Sequence, residues 1–544
     1  MTTTAPPAAL QEPDLGGVDP EVYARRWAIL GVLCLSLVLV VAAVSSVNTA
    51  IPSIRLQLLP TDAQLLWIVD IYAVVFAGLL LPAGALGDRF GRKRALQFGL
   101  ITFAVGSVLS SQAGSPANLL AFRCIMGLGA AFIMPSTLSL LTSVFPPAER
   151  PKAIAVWTGF AGAGGVIGTL MSGLVLGHYW WGSVFFVSVP ITLLAVVLVS
   201  VMCPSSKEEH VTPLDPIGAA LSVLGFGSLL YGIIEGPEKG WTSVHSIAAF
   251  ALAIVGLAGF VLWERQRMNP MLDVRFFGIP RFGAGALGVT FTFFAMFSMF
   301  FLVAQFLQSV RGYSPLKAGV CTLPFAITMV AVSPRGATLA AKFGPRRVIL
   351  SGLSIIPVGL VMLSLVGAKS PYLLLAVGLV VLSAGAALAM PTMSTGIVLS
   401  LPMSKAGVGS AVNDTTREVG GAVGIAVLGS ILSSHYRNGM KTAIAQLPPE
   451  AAQVAVAARR GVGALAGLVA AAPGVPALRG QLPQLQALLS TAKAEFTGGM
   501  HLGMRVAAAL MVIVAAVVYR WYPGGQLRPF GMPADAGRHQ PLDR

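Results

Sequence analysis

Five ionisable residues inside apolar stretches of the chain could do chemistry: Asp70, Arg123, Asp414, Arg417 and Glu418. At the centre of a membrane helix each costs ~2.5–3.5 kcal/mol on insertion scales, so each needs a reason to be there. Asp414 and Glu418 stand four apart in Ser410-Ala411-Val412-Asn413-Asp414-Thr415-Thr416-Arg417-Glu418-Val419-Gly420-Gly421. On a helix they share one face, with Arg417 beside it. Two carboxylates near an apolar cavity suit exchange. Apolar surroundings favour the neutral carboxyl and a bound cation favours the charged one, so proton and cation compete for one site. The same spacing also allows Arg417 to neutralise Asp414 at i,i+3 in a static network, or the whole group to lie among headgroups at a helix end. Sequence leaves all three open.

Asp70 lies in Trp67-Ile68-Val69-Asp70-Ile71-Tyr72. Trp67 and Tyr72 either anchor the span at an interface or form, with Asp70, an aromatic-and-acid corner for a cation. Arg123, in Leu119-Leu120-Ala121-Phe122-Arg123-Cys124-Ile125-Met126-Gly127-Leu128-Gly129, is a lone cation that requires an acid or backbone carbonyls nearby. His178, His210, His245, His435 and His501 show no metal-ligand spacing, and no nucleophile–base constellation is present. Neither metal binding nor catalysis is expected. Glu235, beside Trp241, reads as outer surface.

The elements that hold these groups must be membrane helices. Of 544 residues 55% are hydrophobic and only 10% charged, and mean hydropathy is +0.80. Soluble proteins carry roughly 25% charged residues. Crossing ~30 Å of hydrocarbon takes about 20 helical residues. Such runs fall near 27–47, 66–86, 97–114, 117–142, 154–176, 184–203, 214–234, 246–264, 283–309, 317–334, 347–367, 371–393, 408–432 and 502–522, fourteen in all. The fold class is an all-α polytopic membrane protein.

Basic residues alternate by loop. One side holds Arg25-Arg26, the Arg89–Arg94 cluster, Arg150 and Lys152, Lys207, Arg265 to Arg281, Lys342 to Arg347, and Lys405; the other holds Arg55, Lys239, Arg311, Lys317 and Lys369. The positive-inside rule then puts both termini in the cytoplasm, which requires an even span count. It also accounts for a net charge of +15 without a nucleic-acid partner. The N-terminus lacks the basic and short apolar regions of a removable signal peptide. Cys34, Cys124, Cys203 and Cys321 read as small buried hydrophobes.

Between two apolar runs lies Gly84-Ala85-Leu86-Gly87-Asp88-Arg89-Phe90-Gly91-Arg92-Lys93-Arg94. Gly84 and Gly87 allow close helix packing, Gly91 can supply a positive φ, and Asp88 can pair with Arg92. Ala337-Thr338-Leu339-Ala340-Ala341-Lys342-Phe343-Gly344-Pro345-Arg346-Arg347 repeats the stretch in degraded form. Both follow the second helix of a six-helix half if two spans are inserted between parallel repeats. The expected units are a tail at 1–26, a first half at 27–203, linker spans at 204–282, a second half at 283–522 and a tail at 523–544. The second half includes an outer segment, 433–501, in which Ala451–Val462 and Leu485–Phe496 suggest a two-helix hairpin.

The Gly84–Arg94 stretch resembles the loop between spans 2 and 3 of the major facilitator superfamily, G-x-L-[GA]-D-R-x-G-R-[KR]-[KR]. With fourteen spans, the likeness narrows to drug:proton antiporters of the Qac, Lfr and Emr type, the Qac/Lfr version above all, and covers roughly residues 27 to 522. It implies cation binding at Asp70, with Trp67 and Tyr72, and at Asp414 and Glu418. It implies proton coupling at Asp414, Glu418, Arg123 and Asp70, and conformational gating by Gly84, Asp88, Arg89, Gly91 and Arg92. A gating motif in span 5, G-x-x-x-G-P-x-x-G-G, here reads Gly164, Gly168, Thr169, Ser172 and Gly173, with Thr169 in place of proline. The family's span-1 acid aligns with Ala43.

The expected function is a secondary multidrug exporter that exchanges hydrophobic cations for protons across a bacterial plasma membrane. It would use the proton gradient and no cofactor, as a monomer. The altered span 1 and span 5 keep an alternative in view, export or flipping of a lipid or endogenous metabolite with weaker proton coupling. A membrane sensor or pump component has no soluble domain here to support it.

Overall fold

The computed structural model describes residues 18–60, 62–205, 215–268, 270–402, 405–447, 452–472 and 482–524. Lys207, His210, most of both expected tails and the Arg55 side chain lie outside the described residues. The helices are α1 (Pro20–Leu58), α2 (Asp62–Phe90), α3 (Arg92–Ser111), α4 (Pro116–Val144), α5 (Arg150–Leu176), α6 (Ser183–Phe186), α7 (Ser188–Met202), α8 (Pro216–Lys239) and α9 (Val244–Gln266). There follow α10 (Pro280–Gln305), α11 (Pro315–Phe343), α12 (Pro345–Leu363), α13 (Tyr372–Leu399), α14 (Ala406–Ala445), α15 (Ala452–Arg460), α16 (Val462–Ala471) and α17 (Leu482–Trp521). Fourteen spans among the described residues are long and apolar enough to cross a membrane, α6 and α7 together making the sixth.

Local sequence sets many helix starts. Ser115, Asp215, Ser243 and Ser314 each accept a hydrogen bond from a backbone N–H of the first turn, and proline opens α4, α8 and α11. These residues satisfy or remove donors that a helix start leaves unpaired. Gly91 (φ +106°) and Gly344 (φ +87°) break the chain between α2 and α3 and between α11 and α12, so the internal echo is structural as well.

One apolar core joins α1 to α7 and another joins α10 to α14 with α17. The linker helices α8 and α9 pack on each other, and α8 lies against α2 and α14. The two halves meet along two seams, α5 against α11 and α2 against α14. The face bearing Arg26, Arg92 and Lys405 is called the basic face below. The ends of the described chain share it: Arg26 binds Glu149 before α5, and Arg346 at the start of α12 binds the Tyr519 carbonyl near the end of α17.

The outer segment departs from the sequence expectation. Leu485–Phe496 is no separate helix, because α17 runs unbroken from Leu482 to Trp521, and α14 extends to Ala445. Forty residues make ~60 Å of helix, about twice the hydrocarbon thickness. Leu432, Tyr436 and Met440 on α14 and Leu485, Leu488, Ala492 and Phe496 on α17 share one buried cluster, so the apolar face simply continues past the membrane. The other expected helix divides at Gly461 (φ +133°) into α15 and α16. The Tyr436 hydroxyl donates to the Ala458 carbonyl at 2.9 Å and ties α15 down.

Helix α1 meets α5 closely at Gly168. A Cβ there would lie 2.5 Å from the Ala42 carbonyl oxygen, whereas one at Gly165 would meet nothing within 4 Å. Gly165→Ala is expected to hold or raise the thermal unfolding midpoint in detergent, since alanine favours helix by ~1 kcal/mol. Gly168→Ala is expected to lose ~1–3 kcal/mol by overpacking. Equal midpoints would show that α1 and α5 separate freely.

Candidate functional site

The α2–α14 seam is closed by a carboxylate on the basic face. Asp88, in the last turn of α2, accepts from the Gly407 N–H at 3.0 and 2.9 Å and from the Val408 N–H at 3.2 Å. These are first-turn donors of α14, whose own N-cap, Lys405, offers no side-chain acceptor. Asp88 is thus a cap supplied by the other half, placed where the helix dipole favours negative charge. Arg92 Nε donates to Asp88 Oδ1 at 3.1 Å, across the break at Gly91. Arg89 is half-buried, with its guanidinium 5.5 Å from the Phe90 ring centre. Gly84 completes the seam, since a Cβ there would lie 2.7 Å from the Gly407 carbonyl oxygen. Gly87 makes no such approach; its nearest neighbours, Ala95 and Ser136, stand at ordinary contact distance. Lys405 donates to the Pro270 carbonyl at 2.6 Å, which ties the segment after α9 to the same corner, and burial pushes its ammonium pKa down.

Two turns further along α14 lies the acid group. Asp414 is eight residues past Ala406, ~12 Å along the axis, and fully buried. That removes the headgroup placement. Arg417 Nη1 donates to Asp414 Oδ1 at 3.3 Å, so the i,i+3 pair forms. The Arg417 guanidinium also faces two rings, Phe293 of α10 at 4.6 Å and Trp157 of α5 at 5.3 Å from the ring centres. Trp157 is fixed by its own Nε1–H, which donates to Thr137 at 3.1 Å. Glu418, on the next turn, is half-buried and lies within electrostatic range of both Arg417 and Tyr72. Gly420, Gly421 and Gly424 lay α14 against α10, which is how the small-residue stripe is used within the chain.

The span-2 residues separate. Trp67 packs on Tyr231 of the linker helix α8, ring centres 5.2 Å apart. Tyr72 points elsewhere: it is fully buried, donates to the Val40 carbonyl at 3.0 Å and lies under Arg123. An aromatic corner of Trp67, Asp70 and Tyr72 does not form, because residues 67 and 72 occupy different faces of α2. Arg123 finds backbone carbonyls, Ile68 at 2.7 Å and Val69 at 2.9 Å, with Asp70 and Tyr72 in electrostatic range. Ala43 packs on the first-half core and lines an apolar cavity of about 500 Å³ among α1, α5 and α7.

The span-5 motif divides between two faces. Gly164 and Gly168 sit against Val41, Ala42 and Ser45 of α1, inside the first half. Gly173 faces Leu316 and the Thr169 methyl faces Gly319, both on α11. Thr169 Oγ1 donates back to the Gly165 carbonyl at 3.0 Å. Sequence reasoning missed Gly159 and Gly162, which face Ser333 and Met329 of α11. Their signal was present: 159, 162 and 173 recur on one helical face, and 164 and 168 on another. It also missed Trp157, Phe293 and Gly407, which only tertiary packing brings to the acids.

Asp88→Asn removes the anion while keeping one acceptor. It is expected to cost ~1 kcal/mol of capping and to loosen the seam. In an otherwise thiol-free background, Ala411→Cys within that seam should then react faster with a membrane-impermeant thiol reagent. An unchanged labelling rate would show that Asp88 does not hold the seam shut.

A family model for the Major Facilitator Superfamily matches residues 33–425. The multidrug efflux pump LfrA of Mycolicibacterium smegmatis (strain ATCC 700084 / mc(2)155) is 34% identical over 495 residues, 91% of this chain and 96% of LfrA. The multidrug resistance protein Stp of Mycobacterium tuberculosis (strain CDC 1551 / Oshkosh) is 32% identical over 482 residues, 88% of each chain. The structure of the human organic anion transporter MFSD10 (TETRAN) has a TM-score of 0.59 at 14% identity, covering 92% of this chain and 100% of its own, a likeness of fold. With two six-helix bundles, the internal echo and a match over most of its length, the chain belongs to the major facilitator superfamily of membrane transporters.

Proposed function

We propose that the protein is a secondary exporter that moves hydrophobic, cationic compounds out of the cell in exchange for protons, by alternating access. The observation that carries this reading is the group on α14 of buried Asp414 and Arg417 with half-buried Glu418, where the Arg417 guanidinium faces Trp157 of the other half. Carboxyl groups in low dielectric bind a proton readily and give it up when a cation arrives. The same helix is clamped at its start by Asp88, so charge at the acids and closure of the basic face act on one element. Relatives named a multidrug efflux pump and a multidrug resistance protein support a broad range of substrates. The basic face is taken as cytoplasmic on the positive-inside rule, in the plasma membrane, with the chain working as a monomer.

A second reading is favoured by the apolar cavity that Ala43 lines, where the resemblance leads one to expect an acid. A largely apolar recess without an acid suits a lipid chain or a neutral metabolite with weak proton coupling.

The deciding measurement uses reconstituted vesicles with a trapped pH dye and an imposed gradient. Ethidium is expected to dissipate the gradient with wild type, and Asp414→Asn and Glu418→Gln each to reduce that flux at least tenfold, a change of ~1.4 kcal/mol in the barrier. If ethidium moves no protons and both variants match wild type, the antiport reading fails and the second takes its place.

A further inference from the structure

Of the described arginines, Arg123 and Arg417 are the most deeply buried, and they are held differently. Arg123 makes two short bonds to backbone carbonyls, at 2.7 and 2.9 Å, and has every reason to stay. Arg417 is 3% exposed and donates to Asp414 at 3.3 Å, well beyond the ~2.7–2.9 Å of a good charge-assisted bond. Its Nε, Asp414 Oδ2 and Asn413 Oδ1 are buried without a hydrogen-bond partner among the described residues. A guanidinium that served only to neutralise Asp414 would be expected to pair bidentately. Its better contacts are the faces of Phe293 and Trp157.

A carboxylate, a second carboxylate one turn away and two ring faces around a delocalised charge are the chemistry that recognises an organic cation. We infer that Arg417 occupies this protein's cation site as a tethered stand-in, and that a flat or quaternary organic cation binds by displacing it from Asp414 and from the Phe293 and Trp157 faces. The inference rests on the cationic-substrate reading above and names the residues that receive the cation. An empty site would leave Asp414 buried without a counter-charge, with only the 3.4 Å bond from Asn413 Nδ2, which low dielectric makes costly. The tethered guanidinium removes that cost between substrates, and its imperfect fit keeps it displaceable. Because Trp157 belongs to one half and Phe293 and Asp414 to the other, whichever cation is seated there touches both.

The test is equilibrium binding of ethidium to the purified full-length protein in nanodiscs, read by fluorescence anisotropy, for wild type, Arg417→Gln and Arg417→Lys. A tethered competitor lowers apparent affinity by its own occupancy. The Gln variant is expected to bind about tenfold tighter than wild type, ~1.4 kcal/mol. The Lys variant, a point charge without a planar face, should fall between them. If wild type binds and both variants bind equally or more weakly, Arg417 is a structural partner of Asp414; the inference is overturned and the cationic reading stands. If none of the three binds ethidium, the cationic reading falls and takes the inference with it. Should Arg417→Gln fail to fold, Arg417→Lys keeps a charge beside Asp414 and decides by the same sign.

Discussion

The structure depends on one carboxylate borrowed across the pseudo-symmetric interface. Helix α14 starts without a capping side chain of its own, and Asp88 of α2 accepts from two of its first-turn N–H groups. Unpaired donors buried at a helix start are expensive, so α14 is satisfied only while the two halves touch. Gly84 and Gly407 allow the approach that this bond requires. Once α14 is fixed at its start, its rise and pitch decide where the next groups fall. Asp414 lands two turns in, and Arg417 one turn beyond, against Trp157 and Phe293.

Among the described residues, the internal repeat carries no second clamp of this kind. By alignment on Gly91 and Gly344, Ala341 stands where Asp88 does, and α5 is the counterpart of α14. Counted from the first residue of each helix, Gly407 of α14 corresponds to Pro151 of α5, which carries no N–H. The acceptor and one of the two donors are therefore gone. A cavity of about 170 Å³, lined by Pro151, Ala337, Ala340, Ala341, Pro391, Thr392 and Thr395, lies at that corner. The α5–α11 seam is held instead by apposition of Gly159, Gly162, Gly173 and Gly319 with Met329, Leu316 and Thr169. One seam is electrostatic and directional, the other steric. The repeat shares backbone geometry at Gly91 and Gly344 but not the carboxylate contact.

Much of this was legible in sequence because membrane helices obey a simple length rule. Fourteen apolar runs, a glycine with positive φ after α2 and again after α11, and the Asp88–Arg92 pair all follow from residue type and spacing. Partners were not legible. That Asp88 would reach an N-terminus more than three hundred residues away, or that Trp67 and Tyr72 would part company around α2, depends on which helices become neighbours. The outer segment misled for a different reason. The expected hairpin takes the polar ends of the membrane runs as helix ends, while Leu432, Tyr436 and Met440 and Leu485, Leu488, Ala492 and Phe496 keep helical period and pack together beyond them.

Helix α14 is the element on which the separate features meet. It carries the clamped N–H groups at 407 and 408, the acids at 414 and 418, the loosely held cation at 417, the glycines that seat it on α10, and Tyr436, which fastens α15. A helix is stiff along its axis, so a shift that moves Arg417 off the Trp157 face also bears on the Asp88 bonds ten residues or fewer away. No long chain of side chains is needed between site and seam. With Ala43 in α1, the first half brings no acid to this place from that helix. The buried charged groups and the N–H groups that Asp88 holds therefore lie on one rigid helix, which is the arrangement that the proposed coupling requires.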